Sequence, residues 1–216
     1  DSFEVFFVPA GYVFSIWGLI YLGLLAYSAF QALPAQRDNP TLERVGWLYI
    51  GSCLANAAWL FMWHYLIFGA TIVFMLALLV LLIAIYLTLG TGRRPTSTAM
   101  RWLVRVPFSI YLGWITVATV ANFTSFFNSL GWGAGYDTAS AIWAAVMIVV
   151  ATAIAVLMSL RHGDIAYIAV IVWAFIGIAV KHSGTPLVAV TAGVMAAVAA
   201  ASLVVGVPRA QRRLGG

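Results

Sequence analysis

Long apolar runs separated by short polar breaks dominate this chain. Seven runs approach or exceed the roughly 20 residues that a membrane-spanning helix needs, at about 10–33, 45–67, 69–90, 102–127, 138–160, 164–182 and 185–207. None shows the alternating segments of a barrel strand. The longest breaks, 34–44, 91–101 and 128–137, are rich in Pro, Gly, Asn or Ser. The pattern predicts an all-α integral membrane protein folded as a seven-transmembrane-helix bundle.

Composition supports the membrane class. Apolar residues make up 64% of the chain and charged residues 8%, whereas a soluble domain carries about 25% charged residues. The single cysteine, Cys53, excludes an intrachain disulfide. The net charge of +5 comes from residues at the ends of apolar runs, so it does not indicate a nucleic-acid partner. The partner that composition indicates is the lipid bilayer.

The positions of Lys and Arg predict the orientation. With seven spans, ten of the eleven basic residues fall on one side and only Lys181 on the other. The positive-inside rule makes the first side cytoplasmic, so the N-terminus lies outside and the C-terminus in the cytoplasm. We expect a bacterial inner (cytoplasmic) membrane. The first residue is Asp1 rather than Met, and we expect a cleaved signal peptide or a further helix upstream.

Two predicted helices carry aromatic and carboxamide side chains on one face. Helical spacing aligns Tyr111, Trp114 and Asn122, and likewise Asn56 and Trp59. A carboxamide without a partner is costly in hydrocarbon, so each Asn needs a hydrogen-bond partner in the bundle or on a ligand. The stripes therefore predict either a ligand pocket or polar contacts between helices.

Three motifs contain these residues. They are Tyr12-Val13-Phe14 with Trp17 and Leu19-Ile20-Tyr21, then Asn56 with Trp59, then Tyr111-Leu112 with Trp114, Ala118-Thr119 and Asn122. Over about residues 9–127 they resemble the TspO/MBR translocator-protein family, the tryptophan-rich sensory proteins. The resemblance implies a five-helix bundle, often dimeric, that binds porphyrins, sterols or similar flat apolar ligands. The first four helices here would match the family's second to fifth.

The chain departs from the family pattern in three places. Asn122 is followed by Phe123 and by no nearby Tyr, Lys or Arg, so sterol binding is not expected. The segment before the first helix has no Trp, which argues against tetrapyrrole-degrading chemistry. The last three helices have no counterpart in a five-helix family. We therefore divide the chain into a TspO/MBR-like four-helix part, 1–127, and three additional helices, 128–216.

Small residues recur along two of the additional helices, where they would let helix backbones approach closely. The stripes are Ala141, Ala145, Ala151 and Ala155 on one helix and Ala189, Gly193, Ala197 and Ala201 on the other. We interpret these helices as a packing module that enlarges the bundle or docks a partner.

Catalytic signatures are missing from the sequence. No Asp, Glu, Lys or Arg falls at the centre of a predicted span, which argues against a pump, a proton-coupled transporter or a voltage sensor. Paired carboxylates, metal-spaced Cys/His clusters, nucleophile elbows and phosphate loops are absent too. His64, His162 and His182 lie near span ends and are predicted to be interfacial. His64, next to Trp63, is the best-placed axial ligand for a haem or chlorophyll.

The sequence thus predicts a non-enzymatic membrane binding or sensory protein, without catalytic residues, a dedicated metal site or an obligatory cofactor. Its expected ligand is a tetrapyrrole (a porphyrin, haem or chlorophyll-type molecule) or another flat apolar molecule, and a homodimer or larger membrane complex is compatible with it. The predicted ligand-binding residues are Trp17, Tyr21, Asn56, Trp59, Tyr111, Trp114 and Asn122. The alternatives are a structural accessory subunit of a photosynthetic or respiratory assembly, or a facilitator for an uncharged apolar solute.

Overall fold

The computed structural model describes residues 6–131 and 137–215, and the regular elements in these ranges are all helical. The prediction of an all-α fold is confirmed. A 3₁₀ turn, Gly11–Ser15, leads into the first of seven long helices. These are α1 Ile16–Gln31, α2 Pro40–His64, α3 Phe68–Leu89, α4 Thr98–Ser129, α5 Thr138–His162, α6 Ile165–Lys181 and α7 Pro186–Gly215.

Six of these helices are long and apolar enough to cross a membrane when α1 is counted with the 3₁₀ turn before it (Gly11–Gln31, 21 residues), which makes the chain an integral membrane protein. The exception is α6, which has 17 residues. At 1.5 Å per residue it is about 26 Å long, slightly less than the roughly 30 Å hydrocarbon core. The helix predicted at 164–182 therefore exists, but its length alone does not make it a seventh span.

Two helices extend beyond the apolar runs that predicted them. α2 begins at Pro40 rather than at residue 45, because the Asn39 side chain accepts hydrogen bonds from the backbone N–H groups of Thr41 (3.1 Å) and Leu42 (3.3 Å). α7 continues past residue 207, through Pro208 to Gly215. An apolar run marks the segment suited to lipid, whereas a capped helix continues into the polar region.

α4 lies at the centre of the bundle. It contacts α1, α3, α5 and α6, and every residue from 111 to 117 is buried. Its first turns include a π-helical turn, Arg101–Arg105. Neighbouring helices cover all faces of α4. Burial therefore does not distinguish the aromatic stripe of α4 from its other faces.

The last three helices pack against one another and, through α6, against α4. The predicted small-residue stripe of α5 is largely inside, with Ala141, Ala151 and Ala155 buried. The predicted stripe of α7 is not. Its members Gly193, Ala197 and Ala201 are exposed, and α7 instead buries Val188, Ala192, Ala196 and Ala199.

Polar contacts define the two ends of the bundle. At one end, here called the basic end, the His162 ring Nδ1 lies 2.9 Å from the Thr91 carbonyl oxygen, and the Arg213 Nη1 donates to the Arg161 carbonyl at 3.2 Å. At the opposite end the His182 ring Nε2 lies 3.4 Å from the Val8 carbonyl oxygen. α6 therefore runs from the basic end to the opposite end.

Candidate functional site

An apolar cavity of about 200 Å³ lies among α1, α2, α3 and α4, towards the end opposite the basic end. We call it the aromatic cavity because four indoles reach it. Its walls are formed by Val8, Pro9, Phe14, Trp17, Trp59, Trp63, Met75, Trp114, Ile115, Val117, Ala118, Ala121, Asn122 and Ser125.

Four of the seven predicted site residues meet at this cavity: Trp17, Trp59, Trp114 and Asn122. They come from three helices that are far apart in sequence. The indoles of Trp17 and Trp114 meet edge to face, with ring centroids 6.3 Å apart and planes at 82°. This is the T-shaped arrangement that the aromatic quadrupole favours.

The other three predicted residues surround this group without lining the cavity. Tyr21 stacks on Trp17 with ring centroids 5.5 Å apart, but 55% of Tyr21 is exposed. Tyr111 is buried and meets Trp17 edge to face at 6.1 Å. Asn56 lies one turn before Trp59 on α2, where its Oδ1 is buried without a hydrogen-bond partner.

Several wall residues were not among the predicted site residues. Trp63 follows Trp59 by one turn, with ring centroids 5.8 Å apart, and this spacing is visible in the sequence. Phe14 packs edge to face on Trp114 at 5.5 Å, and it stands in the first motif. Met75 carries no sequence signal, because it is one apolar residue among many in α3.

Asn122 has a partner for only one of its polar atoms. Its Oδ1 lies 3.2 Å from the Thr71 hydroxyl on α3, and the single hydrogen of that hydroxyl is shared with the Phe68 carbonyl oxygen at 2.7 Å. The Asn122 Nδ2 is buried and has no partner. Exchanging the two ends of the carboxamide would still leave one polar atom unsatisfied, Oδ1 instead of Nδ2.

Two indole N–H groups of the cavity are unsatisfied as well. The Nε1 atoms of Trp59 and Trp114 are buried and have no hydrogen-bond acceptor within the described part of the chain. An indole N–H can only donate, and leaving a buried donor unpaired costs about 1–3 kcal/mol. The aromatic cavity therefore combines apolar walls with two buried indole donors that have no partner within the described part of the chain.

The donors and walls fit one edge of a tetrapyrrole, whose carboxylate or carbonyl oxygens are acceptors. The volume does not fit the whole macrocycle, because small-molecule pockets usually measure about 300–1,000 Å³. α1 and α2 approach at Tyr27 and Tyr49, with ring centroids 5.2 Å apart, but otherwise pack on each other only weakly. The cavity as described therefore accommodates one edge of such a ring.

The histidines lie away from the aromatic cavity. His64 is exposed and packs against the Tyr65 ring at 5.2 Å. His162 and His182 are buried at opposite ends of the bundle. Within residues 6–131 and 137–215, no group of three His, Cys, Asp or Glu side chains is arranged to hold a metal ion.

One of the comparisons with known proteins identifies a family for this chain. No curated protein and no solved structure gives a significant match to the chain. The sequence profile of the TSPO-like protein family matches residues 1–205. The match extends beyond the resemblance at 9–127 and takes in α5, α6 and the first part of α7, helices for which the sequence motifs indicated no family counterpart. Since it covers most of the 216 residues, the chain belongs to the TSPO-like protein family.

Proposed function

We propose that this protein is a non-enzymatic membrane binding or sensory protein that takes a tetrapyrrole or a similar flat apolar ligand at the aromatic cavity. Family membership supports the class of function. The observation that carries the proposal is the set of buried polar atoms without partners around one apolar cavity: Trp59 Nε1, Trp114 Nε1 and one end of the Asn122 carboxamide.

The predicted residues take different parts in this site. Trp17, Trp59 and Trp114 form the apolar walls against which a flat ring packs. The two indole N–H groups and the Asn122 carboxamide bind an acceptor on the edge of the ligand. Tyr111 and Tyr21 hold the Trp17 indole from its two sides, and Asn56 supplies a further polar group on α2.

Titration with protoporphyrin IX, followed by the absorption of the porphyrin, tests this proposal. We expect Asn56→Leu combined with Trp114→Ala to abolish binding while helical content is unchanged. Trp114→Phe keeps a ring and removes the donor, and it should weaken binding about 5–10-fold, the value of one buried hydrogen bond. Trp47→Phe, an exposed indole outside the cavity, is the matched control. Equal affinity in the wild type and the double variant would refute the site.

We also propose that all seven helices span a bacterial inner membrane, with the N-terminus outside and the C-terminus in the cytoplasm. The path of α6 from the basic end to the opposite end supports this arrangement. The gathering of arginines from three loops and from α7 at the basic end supports the orientation.

A structural accessory role in a larger membrane complex is the second candidate, and a homodimer would use the same surface. It is favoured by the exposed small residues Gly193, Ala197 and Ala201 on α7, since such residues allow close packing of membrane helices. Gentle detergent extraction tests it. Co-purification at fixed stoichiometry, lost in Gly193→Leu with Ala197→Leu, would favour this role, whereas a monomer that binds porphyrin would exclude it.

A further inference from the structure

A second cavity, of about 470 Å³, lies at the basic end, and it shares no wall residue with the aromatic cavity. We call it the basic cavity. Arg94 comes from the loop after α3, and Arg101 and Arg105 come from the first turns of α4. The remaining walls come from the ends of α5, α6 and α7, including His162, Asp164, Ala166, Ala169, Val207 and Leu214.

The three guanidinium groups of this cavity outnumber its carboxylates. No carboxylate in the described ranges forms an ion pair with them, and the positive charges of Arg101 and Arg94 act on Arg105. The Arg105 Nη1 donates to the Arg94 carbonyl at 2.7 Å, while its Nε is buried with no partner. The basic cavity thus concentrates positive charge and free donors.

Asp164, the acid in the wall of the basic cavity, is already engaged. Its Oδ2 accepts a hydrogen bond from the Ser109 hydroxyl at 2.6 Å, and its Oδ1 accepts one from the Tyr167 backbone N–H at 3.1 Å. These bonds cap the start of α6 and join it to α4. The wall of the basic cavity therefore holds three guanidinium groups and one carboxylate, an excess of two basic groups.

The local backbone brings two of the arginines together. Arg101 and Arg105 begin and end the π-helical turn, and residues four apart on a helix lie on the same face. π-helical turns are rare and occur frequently at functional sites. The Ser97 hydroxyl caps the start of α4, where it accepts a hydrogen bond from the Met100 backbone N–H at 3.2 Å.

An apolar groove continues from the basic cavity into the membrane region. Its volume is about 300 Å³, and it shares Ala166 and Ala169 with the basic cavity. The other walls, from α6, α4 and the start of α1, are Ser15, Ile16, Leu19, Ile110, Val170 and Trp173. Along α6, Trp173 lies about 10 Å beyond Ala166. The two spaces together are basic at the membrane surface and apolar below it.

From this combination we infer that the basic cavity and the groove bind an anionic membrane phospholipid, with its phosphate at Arg94, Arg101 and Arg105 and one acyl chain along α6. A guanidinium group can donate two parallel hydrogen bonds to two oxygens of one phosphate. Basic pockets between membrane helices bind anionic lipid head groups. A soluble phosphate compound would use the arginines but not the groove. This site is independent of ligand binding at the aromatic cavity.

Lipid retention by the full chain is the measurement. The protein in detergent is titrated separately with dioleoyl-phosphatidylglycerol and dioleoyl-phosphatidylcholine, and bound lipid is counted by native mass spectrometry. We expect selective retention of phosphatidylglycerol. Arg94→Gln with Arg101→Gln, both exposed arginines, should weaken that retention about 30-fold. Arg37→Gln with Arg212→Gln removes the same charge from outside the cavity and should leave retention unchanged.

The groove is tested without changing charge. Ala169→Phe fills the junction between the two spaces and should reduce phosphatidylglycerol retention at least tenfold, whereas Ala153→Phe, at an exposed position of α5, should have no effect. Inorganic phosphate at constant ionic strength should not displace the lipid. Equal retention of the two lipids, no effect of the Arg94/Arg101 variant, or displacement by phosphate with no effect of Ala169→Phe would each overturn the lipid site.

Discussion

At the scale of single residues, most buried hydroxyls bond only within their own helix. Thr119 and Thr152 each donate to the carbonyl four residues earlier. The hydroxyl of Ser109 is different, because it crosses from α4 to Asp164 at the start of α6. Hydrogen bonds of this kind specify which helices are neighbours, since an apolar contact in a membrane discriminates poorly between partners.

Replacing Ser109 by Ala should therefore destabilise the fold. The variant leaves one carboxylate oxygen of the buried Asp164 without its 2.6 Å donor, and hydrogen bonds to charged groups are worth about 1.5–3 kcal/mol. Unfolding in a mixed-detergent SDS titration measures the loss. Ser202→Ala, whose hydroxyl bonds only the Ala199 carbonyl in its own helix, should change stability by less than about 0.5 kcal/mol. Equal effects of the two variants would contradict a stabilising role for the hydrogen bond between Ser109 and Asp164.

At the scale of elements, α7 has two faces of small residues with different uses. Gly206 is buried against α5, and a Cβ there would collide with the carbonyl and side chain of Ser159. Gly193 is exposed, and a Cβ there would meet no atom within 4 Å. Small side chains therefore permit close backbone packing near the end of α7 but leave open surface in its first third.

The two glycines should respond oppositely to alanine. Gly206→Ala should lower stability by about 1–3 kcal/mol through overpacking. Gly193→Ala should raise it by about 0.5–1 kcal/mol, because alanine favours the helix and meets no obstacle. Both variants are measured by the same SDS titration in the same detergent, so each serves as the control of the other. A loss of stability in Gly193→Ala would show that this position is packed against something.

At the scale of the whole molecule, the short helix α6 decides the topology. If α6 crosses the bilayer, the loop after α1 and the loop after α6 lie on opposite sides. Its 17 residues are at the lower limit for a spanning helix. Burial against α4 and α7 lets a short helix cross, since protein rather than lipid surrounds much of it.

Sided labelling tests this topology. In a Cys53→Ala background, Ala35→Cys marks the loop after α1 and Ser183→Cys marks the loop after α6; both positions are exposed. A membrane-impermeant maleimide added to intact spheroplasts should label the Ser183→Cys protein only. The Ala35→Cys protein should become labelled after the membrane is opened. Equal behaviour of the two proteins, whether both are labelled from outside or both only after the membrane is opened, would contradict the seven-span arrangement.

The sequence predicts the kinds of residues at the candidate site, but it predicts only in part which of them line the same cavity. Spacing along α4 predicts that Trp114 and Asn122 share a face, and the structure puts both at the aromatic cavity. Spacing along α2 predicts the same for Asn56 and Trp59, but only Trp59 lines the cavity. Residues on one helical face differ in height and direction, and the positions of neighbouring helices determine which of them reach a shared space.

By itself, the sequence determined the membrane class and the all-helical fold, because these depend on local composition and on residue order. Only the tertiary structure decided which small-residue face of α7 is buried, which indoles meet, and that three arginines from two segments converge above an apolar groove. The physical reason is that lipid and protein interior are similarly apolar, so hydrophobicity alone does not distinguish the two faces of a membrane helix. Shape and hydrogen bonding between distant segments make that distinction, and they exist only in the folded bundle.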